Sequence, residues 1–139
     1  MNFKATVSPD ALNKMSDNTM LQHLGIEFVE VGEDFITARM PVDKRTHQPY
    51  GLLHGGASVA LAETLGSVAA HCSIDAAKFY CVGLEINANH LKGVRDGFVY
   101  GTARSIHVGR STQVWEIRIE NDKEELICIS RITMAILAR

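Results

Sequence analysis

The sequence predicts an α+β fold in which one antiparallel sheet packs on one face against a single long helix. Residues 55–73 form one run rich in Ala, Leu and Val, with small residues throughout, and this is typical of a buried helix. Apolar and polar residues alternate with period two before and after that run, which indicates two strands preceding the helix and four following it.

The segment before the long helix contains a short helix and a hairpin. A helix is predicted over residues 8–22, with Ser8 or Asp10 available as its N-cap. The stretch LGIEFVEVGEDFITARMPV, residues 24–42, predicts two strands because apolar residues alternate on either side of Gly-Glu-Asp at 32–34.

A polar loop, residues 43–54, leads into the long helix and contains Pro49 and Gly51. Four strand candidates follow the helix, and they lie at residues 82–88, 98–106, 115–119 and 126–136. The links between them after residue 90 are short and carry the turn sequences RDG, VGR and NDKE. We therefore expect strands that follow one another in sequence to be antiparallel neighbours.

Length and composition are those of an ordinary globular chain. The 139 residues fit one domain, 1–139, and a content of 46% hydrophobic and 22% charged residues argues against disorder. The formal net charge is -2 and the basic residues are scattered, so the sequence gives no support for a nucleic-acid-binding surface.

The N-terminal stretch and the cysteines indicate a cytoplasmic protein. Residues 1–18 lack the apolar core of a signal peptide, and no apolar run reaches the roughly 18 residues of a membrane-spanning helix. Cys72, Cys81 and Cys128 are odd in number and lack CxxC spacing, so we expect reduced thiols rather than disulfides or a zinc site. The dispersed histidines give no metal-ligand spacing, and no metal is expected.

One charge interrupts the long helix. Glu63 is the only Asp, Glu, Lys or Arg in residues 55–74. The residues that flank it on its helix face are all small, and they are Gly56, Ala60, Ser67 and Ala70. A solvated helix face is the alternative explanation, but such a face normally carries several charges. A buried element with a functional acid is therefore favoured.

His54 and Glu63 cannot easily reach one small molecule within a single chain. Nine residues on a helix correspond to roughly half a revolution and about 13 Å along the axis. If both side chains serve one site, Glu63 must come from a second subunit.

The start of the helix is a candidate anion or carbonyl site. The N–H groups of Gly55 and Gly56 have no partner within the helix, and the helix dipole adds positive potential there. Such a site suits a phosphate, a carboxylate or the oxyanion of acyl transfer. By itself, His54 could equally be a capping or packing residue, and Gln48 is a plain loop residue.

These residues together resemble hotdog-fold acyl-CoA thioesterases. The resemblance rests on Gln48-Pro-x-Gly-x-x-His54-Gly55-Gly56, on Glu63 with Ser67, and on VGLEINANHLKGV at 82–94, and it extends over roughly residues 20–137. The sequence is most similar to the 4-hydroxybenzoyl-CoA thioesterase type with its acid on the central helix. Within that type it resembles the subgroup of 1,4-dihydroxy-2-naphthoyl-CoA thioesterases of menaquinone synthesis and proofreading thioesterases of the enterobactin pathway.

The resemblance implies a hotdog fold, with a curved sheet wrapped around the helix, and a role for each matched residue. Glu63 would be the nucleophile or the general base, and Ser67 would help to place water or the acyl group. Gly55 would supply the oxyanion-hole amide, and Gln48 and His54 would contact the thioester carbonyl. No cofactor is implied, since coenzyme A is part of the substrate.

The resemblance also implies contacts with coenzyme A and an assembly. Positions similar to nucleotide-contacting or pantetheine-contacting ones are Gly83, His90, Lys92, Arg110 and Ser111, although strand-end Lys and Arg residues are commonly just solvated. The expected substrate is an acyl-CoA or aroyl-CoA. The expected assembly is at least a homodimer with the acid supplied across the interface, and a homotetramer by analogy with relatives.

Two other functions remain open at the level of sequence. One is a non-catalytic hotdog module that binds acyl-CoA, and the other is a hotdog dehydratase acting on hydroxyacyl thioesters. The intact set of Gln48, His54 and Glu63 argues against the first. The Gln-His-Gly cluster, which suits carbonyl polarisation better than proton abstraction from carbon, argues against the second.

Overall fold

The computed structural model describes residue 3 and residues 7–139. The remaining residues, which belong to the stretch expected to lack a signal peptide, lie outside this description. The helices are α1 (Pro9–Met15), α2 (Met20–Leu24) and α3 (Gly55–Ser73). The strands are β1 (Glu27–Val31), β2 (Phe35–Pro41), β3 (Phe79–His90), β4 (Phe98–Val108), β5 (Thr112–Asn121) and β6 (Leu126–Ala138). They form one antiparallel sheet in the order β1-β2-β4-β5-β6-β3.

The long helix forms the core with the sheet, and both its predicted bounds and the predicted α+β class are confirmed. Leu61 and Leu65 are fully buried in the core, where both face Gly101 of β4, and each such Leu contributes about 2 kcal/mol from burial. Helix and sheet approach closely at Gly66, where an added Cβ would lie 2.4 Å from Cγ2 of Ile132. Among the described residues, no helix combines the length and the hydropathy needed to cross a bilayer.

The prediction of one helix over residues 8–22 is wrong, because the segment forms α1 and α2 with a break between them. Ser8 caps α1, its Oγ accepting a hydrogen bond from the N–H of Ala11 at 3.2 Å, whereas Asp10 lies inside the first turn. The chain turns at Asn18, whose φ is 61°, and Thr19 then caps α2. Polar residues that favour caps over helix interiors therefore divide the segment.

The expectation that β3 lies beside β4 is also wrong, because β3 pairs with β6 at the edge of the sheet. The link 91–97 uses its hydrogen bonds elsewhere: Leu91 N donates to Ile127 O at 2.7 Å, and Val94 O accepts from Leu53 N at 2.8 Å. The link therefore crosses the ends of β6 and β5 before it enters β4. The other two sequential pairs, β4–β5 and β5–β6, are neighbours as predicted.

The edge strand β3 is incompletely covered. Its register shifts between Gly83 and Glu85, so that the intervening Leu84 is bulged. Leu84 is 62% exposed and Val82 is 41% exposed, although both belong to the apolar alternation of this strand. An uncovered apolar edge of this kind is a ready pairing surface.

Candidate active site

The loop before α3 positions Gln48 through a tight turn. Gly51 N donates to Gln48 O at 2.9 Å, and Gln48 N donates to Leu52 O at 2.8 Å. The turn places Gly51 at a φ of 79°, a conformation that favours glycine. Gln48 Oε1 accepts from Tyr50 N at 2.5 Å, whereas its Nε2 amide donates to none of the described residues. The acceptor end of Gln48 thus fixes the loop and its donor end remains available.

The structure makes His54 the N-cap of α3. His54 Nδ1 accepts a hydrogen bond from Gly56 N at 2.7 Å. Because Nδ1 is the acceptor, the proton of the neutral ring is assigned to Nε2, which becomes a donor. The cap uses the Gly56 N–H, and Ala57 N donates to His54 O at 2.9 Å. The Gly55 N–H has no acceptor among the described residues, so it is the uncommitted amide of the helix start.

A cavity of about 370 Å³ opens at this helix start, and we call it the helix-start cavity. Gln48, Gly55, His90 and Lys92 are among its lining residues. The imidazole of His90 packs against Gly55, where an added Cβ would lie 2.9 Å from His90 Nε2. Four residues predicted for carbonyl or coenzyme A contacts therefore share one cavity.

Lys92, which lines that cavity, has a charged partner. Its ammonium forms an ion pair with Glu125, and this ion pair holds the pKa of the Glu125 carboxyl below its usual range. Both side chains are about half exposed, so the attraction is weak.

Glu63 lies on another part of the α3 surface, above the edge strand. An added Cβ at Gly83 would lie 3.5 Å from Glu63 Oε1 and 3.7 Å from Oε2, in ordinary van der Waals contact, so the Glu63 carboxylate lies directly beside Gly83. Glu63 is exposed and makes no hydrogen bond or ion pair with any described residue. A polar partner from outside the chain can therefore bind it.

Next to Glu63 is a larger and mainly apolar cavity of about 540 Å³, which we call the helix-middle cavity. Ser67 and Gly83 line it beside Met134 of β6, and Ser67 Oγ lies 4.0 Å from the Met134 sulfur. Burial raises the pKa of the Cys81 thiol, another lining group, which keeps this wall uncharged near neutral pH.

The two cavities lie towards opposite ends of β3. Gly83 belongs to the helix-middle cavity and His90 to the helix-start cavity, and seven residues of a strand span about 23 Å. Arg110 and Ser111 form the β4–β5 turn near the Gly83 end, where Ile136 N donates to Ser111 O at 2.9 Å. The structure thus divides the predicted coenzyme A contacts: His90 and Lys92 lie at one end, and Gly83, Arg110 and Ser111 at the other.

Comparison with known proteins identifies the family. Residues 50–128 match the family described as the Thioesterase superfamily. The chain is 48% identical over 137 residues to the 1,4-dihydroxy-2-naphthoyl-CoA hydrolase of Escherichia coli, which covers 99% of this chain and 100% of that protein. It is 46% identical to the proofreading thioesterase EntH of Cronobacter turicensis, with 99% of each chain covered. The chain belongs to the thioesterase superfamily.

Solved structures place this thioesterase in the hotdog fold, as its sequence predicts. A crystal structure of a mutant thioesterase from Pseudomonas aeruginosa superposes with a TM-score of 0.97 at 49% identity, covering 100% of both chains. A thioesterase from Haemophilus influenzae gives a TM-score of 0.95 at 48% identity, covering 99% of this chain and 96% of that one. The protein is a hydrolase of acyl-CoA thioesters, and this excludes both the non-catalytic module and the dehydratase.

Two features around Glu63 differ from the sequence prediction or were missing from it. Ala70, predicted to share the helix face of Glu63, is fully buried, whereas Glu63 itself is exposed. His71 lies one turn beyond Ser67 and lines the helix-middle cavity, and its i+4 spacing is the signal that could have identified it. The family resemblance implies an acyl pocket lined by the N-terminal segment and by residues near 64–68, and Ala11 and Met15 of α1 line this cavity together with Ser67.

No three His, Cys, Asp or Glu side chains within residues 3 and 7–139 come close enough together to hold a metal ion. Metal-free and cofactor-free hydrolysis by the thioesterase stays a prediction.

Proposed function

We propose that this thioesterase hydrolyses aroyl-CoA esters, with 1,4-dihydroxy-2-naphthoyl-CoA as the candidate substrate, at a site shared by two copies of the chain. One observation carries the proposal. The uncommitted amide of Gly55 lines the helix-start cavity, whereas the unpaired carboxylate of Glu63 lies beside Gly83, which lines the helix-middle cavity towards the other end of β3. Each end of β3 would thus supply half of the groups that thioester hydrolysis needs.

The helix-start cavity would bind the thioester carbonyl. Gly55 N–H sits at the positive end of the α3 dipole and would donate to the oxygen as negative charge develops there. The Nε2 groups of Gln48 and His54 would supply further donors, since their other polar atoms are already used within the chain. One such donor contributes on the order of 3 kcal/mol to transition-state stabilisation.

Glu63 would act on the carbonyl carbon from the second copy. As a nucleophile its carboxylate forms an anhydride while the C–S bond breaks, and water then opens the anhydride. As a general base it takes a proton from water, the hydroxide oxygen bonds to carbon, and the thiolate of coenzyme A leaves. Ser67, one turn along α3, would help to place the water or the acyl group.

A two-fold pairing of β3 edges would bring the halves together. If two copies of β3 pair antiparallel about a point between Ile86 and Asn87, Gly83 of one copy lies opposite His90 of the other. The same pairing would cover the exposed Leu84 and Val82. His90 and Lys92 of one copy would then join Gly83, Arg110 and Ser111 of the other around coenzyme A. Association of two such dimers into a tetramer is part of the proposal and rests on the family resemblance.

The choice of an aromatic acyl group rests on two observations. The helix-middle cavity, beside Glu63, is mainly apolar and at about 540 Å³ is large enough for a bicyclic ring. The Escherichia coli relative, 48% identical, is named for a naphthoyl ester.

Release of free thiol from aroyl- and fatty acyl-CoA esters tests the proposal. We expect Glu63→Gln to lower kcat by at least about hundredfold, because the variant keeps the side-chain shape but loses the base or nucleophile. Glu30→Gln, on the far edge strand, serves as the matched control. Equal rates for Glu63→Gln and the control would rule out the catalytic role. A clear preference of the wild type for long fatty acyl esters would rule out the aromatic substrate but would leave the catalytic role of Glu63 standing.

A further inference from the structure

We propose that Asn13 is a positioning residue that sets acyl-group selectivity by holding α1 in place as a wall of the helix-middle cavity. The inference rests on the proposed function, in which that cavity receives the acyl group. It concerns a helix remote in sequence from every group that would take part in the chemistry.

The N-terminal helix contributes directly to the cavity. Ala11, Leu12 and Met15 line it opposite the side chains of α3. Leu12 is only 4% exposed and packs into the core, whereas Met15 remains 64% exposed. The shape of the cavity therefore depends on where α1 lies.

Nothing within α1 fixes that position. The helix has seven residues, and isolated helices shorter than about 12 residues are marginal in water even with good caps. The Ser8 cap stabilises the helix itself but does not attach it to the sheet. Contacts from α1 to the rest of the chain must therefore hold it in place.

Asn13 provides the polar part of that attachment. Its Nδ2 donates to Phe28 O at 2.9 Å, and Phe28 N donates to its Oδ1 at 2.7 Å. Phe28 lies in β1, the edge strand next to β2, and pairs there with Ala38. The side-chain amide thus occupies the open edge of β1 in the way that a neighbouring strand would.

The two bonds need both a donor and an acceptor in one planar group. Asp at position 13 would keep the acceptor for Phe28 N–H but would set a carboxylate oxygen against Phe28 O. Ala would leave both backbone groups of Phe28 to water. Either change would free α1 to move away from the acyl group while leaving Glu63 and the helix start untouched.

The test compares acyl groups of different size. Thiol release is measured from acetyl-CoA, hexanoyl-CoA and benzoyl-CoA with the wild type, Asn13→Ala, Asn13→Asp and Lys14→Ala, whose exposed side chain lies on the same helix. We expect Asn13→Ala to lower kcat/KM for the two larger esters about tenfold, mainly through KM, and to leave acetyl-CoA within about twofold. Asn13→Asp should lower kcat/KM for the two larger esters by at least as much. Lys14→Ala should have the wild-type kcat/KM for all three esters.

A purely structural role would reduce activity towards all three esters equally, and that result would overturn the proposal. An unchanged ratio between benzoyl-CoA and acetyl-CoA would do the same. Hydrogen exchange is a second readout: amides of residues 9–15 should exchange faster in Asn13→Ala, while those of β4 and β5 should not, and unchanged exchange at 9–15 would refute the attachment. If Glu63→Gln abolishes activity and the ratio still does not move, this inference fails while the proposed function stands.

Discussion

At the scale of single residues, two polar side chains at the start of α3 each have one polar atom used by the fold and one left unused. Gln48 Oε1 holds its own turn, and His54 Nδ1 caps α3. In both side chains one polar atom is anchored and the other faces no partner among the described residues. Groups anchored in this way need little reorganisation when a carbonyl oxygen gains charge, and this is the condition under which hydrogen-bond donors accelerate acyl transfer most.

Lys92 offers a test of coenzyme A binding, because Glu125 is its only charged partner among the described residues and the attraction between the two is weak. We expect Lys92→Ala to raise KM about three- to tenfold with little change in kcat, since a phosphate contact contributes to ground-state binding. The effect should shrink as salt is added. Glu125→Gln, which frees Lys92 for the phosphate, should leave KM unchanged or lower it.

Lys123→Ala is the matched control, since Lys123 is exposed in the β5–β6 turn and faces neither cavity. A shift in KM of the same size for Lys92→Ala and Lys123→Ala would show that only the net charge matters and would contradict a specific contact.

Sequence reasoning could single out individual candidate site residues where local rules suffice. Glu63 stands out because its helix has no other charge, and Gly55 follows from the unpaired amides of any helix start. The packing of His90 on Gly55 and the pairing of Lys92 with Glu125 could not be predicted. Each joins residues more than thirty positions apart, and the contact depends on how distant elements of the chain pack together.

At the scale of elements, the local sequence pattern was sufficient to predict α3. It was not sufficient to predict the division of residues 8–22 into α1 and α2, or the order of the strands in the sheet. The bounds of α3 follow from its composition and its His-Gly-Gly start. The break between α1 and α2 depends on competition between caps and helix interior around Ser16 and Asn18, where propensities differ by less than about 1 kcal/mol. The pairing of β3 with β6 depends on long-range contacts, and the short length of the link between β3 and β4 does not indicate it.

The end of α3 is tied to the sheet by a buried polar network, and this gives a stability prediction. Trp115 Nε1 donates to Gln113 Oε1 at 2.8 Å, and Gln113 Nε2 donates to Ser73 Oγ at 2.9 Å. Gln113→Leu leaves the buried Trp115 N–H without its acceptor, so we expect a loss of about 2 kcal/mol in the free energy of unfolding. Urea denaturation of Gln113→Leu, Trp115→Phe and the double variant measures it. If the two losses simply add, the side chains are not coupled.

At the scale of the whole molecule, the proposed site is divided into two halves within one chain, and an uncovered sheet edge lies between them. Within one copy, about 23 Å of β3 separates Gly83 from His90, too far for one thioester group to contact both. Leu84 is exposed within the same stretch, and Val82 is exposed next to it. Both observations are accounted for if a second copy pairs at this edge, and neither is explained by an active monomer.

Subunit complementation tests this arrangement directly. Glu63→Gln keeps the helix-start cavity intact, and Gln48→Ala keeps Glu63 intact, so each variant alone should be nearly inactive. When equal amounts are unfolded together and refolded, half of the dimers combine one copy of each. Every mixed dimer then has one intact site of two, so we expect about a quarter of wild-type activity. A mixture no more active than the separate variants, with mass measurement confirming mixed dimers, would mean that each site lies within one chain.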